Sequence, residues 1–304
     1  MIAQNFAHDA NGRISDRPAR TSIVFTAHNR KDLVLRAIDL ALKQTVPVHI
    51  IIADDASSDG TQEAVLAAYP DISYLRSEVS RGPCYQRNEG VKLATTEIVF
   101  PLDDDSMLVE PEILEEALAD FADPSVAIVC MPFQNILQDT QIRHARREGQ
   151  PFEMLDFAAC AHGVRRDAFL QVGGYNEELF YSMEEGDLAL RLLDRQGLRT
   201  IRGTSRPLHH MQVPKKRSYI QDFTMHRNKI IFYYKYAPGL LAPYRMVGSV
   251  AVGFKFAWNK KFLRPWFWGV LDGFARVLKG KVKRQPVSKA SFDMYARLRR
   301  VYNG

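Results

Sequence analysis

Short apolar runs alternate with segments of helical periodicity along the first half of the chain. The runs are rich in β-branched and aromatic residues, which is typical of buried strands. They occupy residues 22–26, 48–53, 72–75, 97–100 and 126–133. Helix-forming segments lie between them at residues 31–44, 62–68, 83–93 and 111–121. This alternation predicts an α/β fold with an open, mostly parallel sheet and helices on both faces.

Polar clusters follow three of the predicted strands. Residues 26–29 read Thr-Ala-His-Asn, Asp54 and Asp55 follow the second strand, and residues 103–105 are three aspartates. Ligands of such sheets bind beyond the carboxyl ends of the strands, so three clusters at those ends indicate a binding site. The GxGxxG and Walker A patterns are absent, which disfavours an ordinary NAD, FAD or P-loop protein.

The three consecutive aspartates predict a metal site. Side chains alternate along an extended strand, so Asp103 and Asp105 point the same way and repel each other unless a cation lies between them. Hard oxygen ligands suit Mg²⁺ or Mn²⁺, which would hold a phosphate-bearing substrate. The alternative is a solvated acidic turn in which Asp105 or Ser106 caps a following helix.

A second acidic cluster opens a helix in the later part of the chain. Glu184, Glu185 and Asp187 precede an apolar helical stripe, and Gly197 ends it. Simple complementation of the helix dipole is the alternative to a functional role. The pair His209-His210 follows, and its nearness to these acids favours a ligand role over an ordinary structural one.

Composition divides the chain into parts of opposite charge. Residues 1–201 hold 19 Lys and Arg against 32 Asp and Glu, whereas residues 202–304 hold 22 against 3. We expect a flexible leader at 1–20, an α/β domain at 21–212, and a helical, basic, aromatic-rich region at 213–304. Three widely spaced cysteines argue for a reducing, cytoplasmic location and against disulfides or zinc. No apolar run reaches the roughly 18 residues of a membrane span.

Several motifs together resemble the family 2 glycosyltransferases of GT-A fold, with a Rossmann-like sheet. They are the residues of 22–30, 51–61, 81–90 and 102–105, then Val-Gly-Gly-Tyr at 172–175 and Glu-Glu-Gly-Asp-Leu at 184–188. The resemblance covers about residues 22–210. It implies inverting transfer of a sugar from a nucleotide-diphosphate donor to an acceptor hydroxyl, with residues 21–105 as the nucleotide half and 106–212 as the acceptor half.

The resemblance also implies roles for individual residues. Asp55 matches the carboxylate that accepts the N3–H of uracil, which thymine shares, so UDP and dTDP sugars both remain open. Asp103 and Asp105 match the DXD carboxylates that carry Mn²⁺ or Mg²⁺, and His209 is preferred over His210 as the late histidine of the metal shell. The full set of expected nucleotide-binding residues is Thr26, Asn29, Asp55, Arg81, Asp103 and Asp104.

The acidic cluster supplies the expected base. Family members commonly carry Glu-Asp-x-Asp-Leu, and Glu185 occupies the second-acid position here with a side chain longer by one methylene. Glu185 is therefore the expected base, with Glu184 as the alternative and Asp187 as a further member of the catalytic set.

Three other classes compete with a transferase. They are a non-catalytic nucleotide-sugar binder, a nucleotidyltransferase on a similar fold, and a nucleic-acid binder. No nucleic-acid motif accompanies the basic charge, which disfavours the nucleic-acid binder.

Residues 252–284 hold eight aromatic and nine basic residues. Aromatic and basic side chains suit the headgroup level of an anionic bilayer, so we expect peripheral attachment to the inner face of the cell membrane. Packing against the catalytic domain or a second subunit is the alternative. The family resemblance implies a saccharide or lipid-linked acceptor.

Overall fold

The computed structural model describes residues 18–146, 152–214 and 218–302, and side chains up to residue 299. Most of the expected leader at 1–20 lies outside these ranges, as do residues 303–304 of the C-terminal region. The described chain is a mixed α/β structure followed by a run of helices.

Four β-α units form the first part, close to the predicted positions. The elements are β1 (Thr21–Ala27), α1 (Lys31–Leu42), β2 (Val48–Asp54), α2 (Thr61–Ala68), β3 (Ser73–Arg76), α3 (Pro83–Leu93), β4 (Ile98–Asp103), β5 (Ser106–Met107) and α4 (Ile113–Ala119). A single 3₁₀ turn at Asp120–Ala122 ends this part.

Shorter strands and helices make up the middle of the chain. The elements are β6 (Val126–Cys130), β7 (Phe133–Asn135), β8 (Ile142–Arg143), β9 (His162–Arg165), α5 (Arg166–Gln171), a 3₁₀ turn (Glu177–Leu179), α6 (Glu184–Gln196), β10 (Arg199–Arg202) and β11 (Leu208–His210). The run predicted as one strand over residues 126–133 is thus divided between β6 and β7.

Seven strands form the central sheet in the order β10-β6-β9-β4-β1-β2-β3. All neighbours are parallel except β9, which runs antiparallel to both β4 and β6. Alternate residues of β1 enter two separate cores, Ile23 and Phe25 on one face and Val24 on the other. The predicted mostly parallel sheet with helices on both faces is confirmed.

Strand β9 depends on one close approach that its sequence permits. A Cβ at Gly163 would lie 2.7 Å from the ring of Phe100, so only glycine lets β9 pack beside β4 at this point. Apolar patterning alone did not reveal this strand, because small residues such as those at 158–163 carry little strand signal.

The first turn of α1 is capped by a side chain from a neighbouring loop. Asn29 has φ 53°, and its Oδ1 accepts a hydrogen bond from the backbone N–H of Ser58 at 2.7 Å. The first helical N–H, from Lys31, donates instead to Asp59 Oδ2 at 3.0 Å. A side chain from the neighbouring β2–α2 loop therefore caps α1, and it ties the two polar loops together.

A second sheet has four strands in the order β5-β11-β7-β8. Strand β5 directly follows the aspartate cluster, and β11 carries the histidine pair. In the antiparallel β5–β11 register, His210 faces Ser106 and His209 faces Met107. This pairing brings the late histidines to the end of β4.

Four helices follow: α7 (Tyr219–Tyr236), α8 (Leu241–Asn259), α9 (Leu263–Leu278) and α10 (Lys289–Tyr302). Phe232 of α7 and Tyr295 of α10 are buried in the same core as the helices on one face of the sheet. Gly269 and Gly273 bring α9 close to α7, because Cβ atoms there would lie 2.4 Å and 2.9 Å from α7 atoms. The predicted helical C-terminal region is confirmed.

In the described ranges, every helix is too short or too polar to cross a bilayer.

Candidate active site

A cleft of about 560 Å³ opens at the carboxyl ends of β1, β2 and β4. Polar side chains from these strand ends, the start of α3, the start of α6 and β11 surround it. They include Thr26, Asp55, Asp103, Asp104, Glu184, Glu185 and His210. The strand-end clusters thus meet in one space, as the alternation of strands and helices predicts, and the later acids line the same space.

Asp55 forms one wall of the cleft and is held by the segment that leads into α3. Its carboxylate accepts hydrogen bonds from Ser80 Oγ at 2.6 Å, the backbone N–H of Arg81 at 2.7 Å and Gln86 Nε2 at 2.8 Å. Burial raises the pKa of Asp55, but these hydrogen bonds outweigh it and hold the pKa below its ordinary value. Asp55 is therefore an ionised acceptor in a fixed orientation.

The three aspartates at the end of β4 are compensated by two arginines. Arg30 Nη1 lies 2.8 Å from Asp104 Oδ1 and 2.8 Å from Asp105 Oδ2. Arg87 is buried and forms a salt bridge with Asp103. Burial raises the pKa of Asp104 to about 7 against the opposing charge of Arg30, and the neighbouring aspartates add to this rise. The cluster concentrates negative charge at the cleft.

His210 lies beside Asp105, whereas His209 does not. His210 Nε2 is 3.1 Å from Asp105 Oδ1, and its Nδ1 is 2.8 Å from Asn135 Oδ1. Adjacent residues of β11 point to opposite sides, so His209 is turned away from the aspartates. The preference for His209 is corrected here, because strand register decides which histidine faces the cluster.

The geometry of this group fits a divalent cation. Asp103, Asp105 and His210 each offer one ligand atom, and these atoms all lie within 4.8 Å of one another. The amide oxygen of Asn135 can only accept a hydrogen bond, so in the neutral imidazole His210 Nδ1 carries the hydrogen and Nε2 presents a lone pair toward Asp105. Asp105 Oδ1 is buried and has no hydrogen-bond partner among the described residues. Two acceptor atoms facing each other are stabilised by a cation between them.

Glu184 and Glu185 start α6 on the cleft wall. Glu184 is buried, and its Oε2 has no hydrogen-bond partner within the described structure. Burial raises the pKa of Glu184, and it raises the pKa of Glu185 well above the ordinary value, with the charge of Glu184 adding to the effect. Carboxylates with raised pKa are strong bases once ionised, which suits proton abstraction near neutral pH.

Asp187 has a different environment from the two glutamates. Its Oδ2 accepts from Arg191 Nε at 2.7 Å, and its Oδ1 accepts from Tyr236 Oη at 2.6 Å. Arg191 donates further to the carbonyl oxygens of Val172 and Gly174. Asp187 is 1% exposed and is not among the residues that line the cleft. Its expected place in the catalytic set is corrected, because its carboxylate is saturated by a buried network.

Two expected nucleotide-binding residues stand at the margin of the cleft. Arg81 reaches Asp55 through its backbone N–H, and its guanidinium lies 3.4 Å above the ring of Tyr85. Asn29 is exposed and bonded to Ser58. Neither side chain lines the cleft, whereas that of Thr26 does.

Sequence reasoning gave no role to Arg30, Arg87 or Asn135. Arg87 lies within the 81–90 motif, and Arg30 directly follows the first polar cluster, so both had a positional signal. Asn135 had none, since its role depends on the pairing of β7 with β11.

The fold and the site together define a glycosyltransferase of GT-A fold. Residues 22–175 match the sequence model described as Glycosyl transferase family 2. The chain therefore belongs to glycosyltransferase family 2.

Solved structures share this fold over most of the chain. A mannosyltransferase from Pyrobaculum calidifontis, in complex with GDP-Man and Mn²⁺, matches 90% of both chains with a TM-score of 0.58 and 17% identity. Residues 1–349 of S. aureus TarS, in complex with UDP-GlcNAc, match with a TM-score of 0.61 and 14% identity, covering 84% of this chain and 80% of that one.

Curated relatives match over shorter stretches. The succinoglycan biosynthesis protein ExoO of Rhizobium meliloti is 34% identical over 118 residues, or 37% of this chain and 33% of that protein. The hyaluronan synthase of Pasteurella multocida is 28% identical over 186 residues, or 58% of this chain and 19% of that protein. The chain thus matches a third or less of the length of these two relatives.

Proposed function

We propose that this protein transfers a sugar, with inversion, from a nucleotide-diphosphate donor to an acceptor hydroxyl in polysaccharide or glycolipid synthesis. One observation carries the proposal. A metal-binding constellation at the end of β4 and a pair of glutamates with raised pKa at the start of α6 line the same cleft. Family membership supports the reaction class, and the relative named for succinoglycan biosynthesis supports the polysaccharide context.

The donor nucleotide lies along β1, β2 and the start of α3. Asp55 accepts the N3–H of uracil or thymine, and its lowered pKa keeps it ionised for that purpose. Thr26 lines the same wall, with Asp104 beside it. The backbone N–H of Arg81 orients Asp55, and the side chains of Arg81 and Asn29 approach the nucleotide only after a local rearrangement.

Asp103, Asp105 and His210 would hold Mn²⁺ or Mg²⁺. The ion, when bound, supplies Lewis-acid stabilisation of the departing diphosphate. Arg30 pairs with Asp105 and Arg87 pairs with Asp103, so a permanent positive charge lies beside each of these two carboxylates and holds it in place. Asn135 holds His210 in the tautomer that leaves Nε2 free to coordinate.

Glu185 is the base on the acceptor side, with Glu184 as the alternative. As the acceptor oxygen bonds to the anomeric carbon, the bond from that carbon to the diphosphate oxygen breaks. The hydroxyl proton passes to the Glu185 carboxylate and later to solvent, and the nucleoside diphosphate leaves. Attack opposite the leaving group inverts the anomeric centre, and the base contributes about 10²–10⁴-fold to the rate.

The exposed surface of α8 and α9 supports peripheral attachment to an anionic bilayer. Trp258 is 63% exposed and Trp268 is 50% exposed, with Leu278 among the other exposed apolar residues. Nine basic residues and one acidic residue lie between positions 252 and 284. Each basic side chain near such a surface contributes about 1 kcal/mol. A lipid-linked acceptor would then meet the cleft at the membrane surface.

A panel of nucleotide sugars with and without Mn²⁺ tests the proposed reaction. We expect release of the nucleoside diphosphate from a UDP or dTDP sugar, increased by Mn²⁺ and by saccharide or lipid-linked acceptors. Release of pyrophosphate would identify a nucleotidyltransferase instead. Binding of nucleotide sugars without any release across the panel would identify a non-catalytic binder.

A further inference from the structure

The segment that leads into α6 has an unusual backbone. Phe180, Ser182 and Met183 all have positive φ values, of 61°, 71° and 76°. Non-glycine residues rarely adopt this conformation, and they keep it only where the surrounding structure holds them there. Tyr181 and Ser182 line the cleft, and Glu184 follows directly. The conformation of residues 179–183 therefore sets where the two glutamates point.

One buried side chain of α7 bonds to this segment at three places. Asn228 is fully buried, and its Nδ2 lies 2.9 Å from the carbonyl oxygen of Leu179, 2.9 Å from that of Tyr181 and 2.8 Å from that of Ser182. Its two hydrogens are thus shared among three carbonyls. Leu179 ends the 3₁₀ turn and its carbonyl also accepts from the backbone N–H of Tyr181, whereas Tyr181 and Ser182 lie outside any helix or strand and their carbonyls need a partner of this kind.

Arg227 fixes the orientation of this amide. Arg227 Nε donates to Asn228 Oδ1 at 2.8 Å, and Arg227 Nη2 donates to the carbonyl oxygen of Leu179 at 2.9 Å. A guanidinium can only donate, so Oδ1 must face Arg227 and Nδ2 must face the segment. Asn228 and Arg227 of α7 together hold residues 179–183 in place, and we call this pair the clamp.

The nucleotide half contacts the same segment from the other side. A Cβ at Gly82 would lie 2.6 Å from the ring of Phe180, so this ring packs directly on the glycine backbone. Cys84 Sγ lies 3.7 Å from the carbonyl oxygen of Phe180. Residues 179–183 are thus held between two parts of the chain. One is the start of α3, whose preceding residues bond to Asp55, and the other is α7 of the C-terminal region.

We propose that Asn228, oriented by Arg227, is a positioning residue that sets the catalytic geometry of Glu184 and Glu185. The proposal rests on the proposed function, in which Glu185 takes the acceptor proton. It assigns to α7 a role in turnover that neither family membership nor the metal site implies. Misplacement of a reacting group by about 1 Å can cost about 10²-fold in rate, so loss of the clamp should lower turnover.

The variant Asn228→Asp tests the clamp directly. Aspartate keeps the size and the bond from Arg227, but it removes both N–H donors and turns an oxygen toward three carbonyl oxygens. With the donor found in the panel, we expect kcat to fall by about 10- to 100-fold while donor KM and UDP affinity change less than about two-fold. The acid limb of the kcat profile should also move, because the surroundings of Glu185 change.

Thr224→Val is the matched control. Thr224 is buried one turn earlier on α7, and its hydroxyl bonds within the helix, to the carbonyl oxygens of Ile220 and Gln221. This variant removes the hydroxyl of a buried residue of the same helix and leaves the Asn228 and Arg227 bonds to residues 179–183 in place. We expect its kcat and its pH profile to match those of the unaltered protein.

Hydrogen–deuterium exchange separates the clamp from the base assignment. Amides of residues 180–185 should exchange faster in Asn228→Asp and not in Thr224→Val, whatever the role of Glu185. Faster exchange with kcat unchanged would overturn the catalytic part of the proposal, and unchanged exchange with unchanged kcat would overturn all of it. Should Asn228→Asp not fold, Arg227→Lys, which removes the Nε–H bond to Asn228, is judged by the same two measurements.

Discussion

Replacing Glu185 with glutamine tests the acceptor side of the mechanism. Glutamine keeps the shape of the side chain but cannot take a proton from the acceptor hydroxyl. We expect kcat to fall by about 10²–10⁴-fold, which corresponds to about 3–5 kcal/mol of transition-state stabilisation, with little change in donor affinity. The measurement is nucleoside diphosphate release at saturating donor, with UDP affinity from calorimetry as the control.

The pH profile gives the same test a second readout. A base works only when ionised, so activity falls as the pH drops below its pKa. An ordinary glutamate has a pKa of about 4.3, and burial together with Glu184 raises the pKa of Glu185 well above its ordinary value. In the unaltered protein, the fall of kcat on the acid side of the pH profile should therefore have its midpoint above pH 4.3. This fall should be absent in Glu185→Gln.

Stability separates catalytic loss from unfolding. A carboxyl group whose pKa is raised on folding stabilises the protein fully below its unfolded pKa, and this contribution is lost as the pH rises through the folded pKa. Glutamine mimics the protonated form at every pH. The melting temperature of Glu185→Gln should thus exceed that of the unaltered protein at pH 8 and match it near pH 4.

Glu184→Gln is the paired comparison. Strongly reduced turnover in Glu184→Gln with normal turnover in Glu185→Gln would show that the base is Glu184. Normal turnover in both variants would refute the assignment of the base to this acidic pair.

Three further predictions concern the metal, the buried network and the membrane. UDP together with Mn²⁺ should raise the melting temperature of the unaltered protein and of His209→Ala, but not that of His210→Ala. Equal loss of this increase in both variants would contradict the strand register. Asp187→Asn leaves the charge of Arg191 buried and without its partner, so urea unfolding should show a loss of about 3–5 kcal/mol, and a change below about 1 kcal/mol would contradict a buried structural pair. The protein should float with anionic liposomes and be partly released by raised salt. The double variant Trp258→Ala, Trp268→Ala should float less. If the unaltered protein does not bind anionic liposomes at low salt, these aromatic residues contact protein and not lipid.

Local patterns determined the strand and helix order and the chemistry of the cleft. The apolar runs that became β1, β2 and β4 carry their own burial signal, and a parallel sheet brings their carboxyl ends to one edge whatever lies elsewhere. For that reason the order of strands and helices along the chain was enough to place Thr26, Asp55 and the three aspartates together. The acids of 184–185 were recognisable because three carboxylates crowd a single helix start.

Tertiary contacts decided the roles that depend on facing direction and on distant partners. His209 and His210 are chemically identical neighbours, and only the pairing of β11 with β5 turns His210 toward Asp105. Asp187 is a carboxylic acid like the glutamates beside it, but Arg191 and Tyr236 occupy both of its oxygens. Asn228 lies 46 residues after Ser182, yet it bonds to that residue's carbonyl. A sequence records residue types and spacing, whereas a hydrogen bond depends on the direction of atoms that the whole fold brings together.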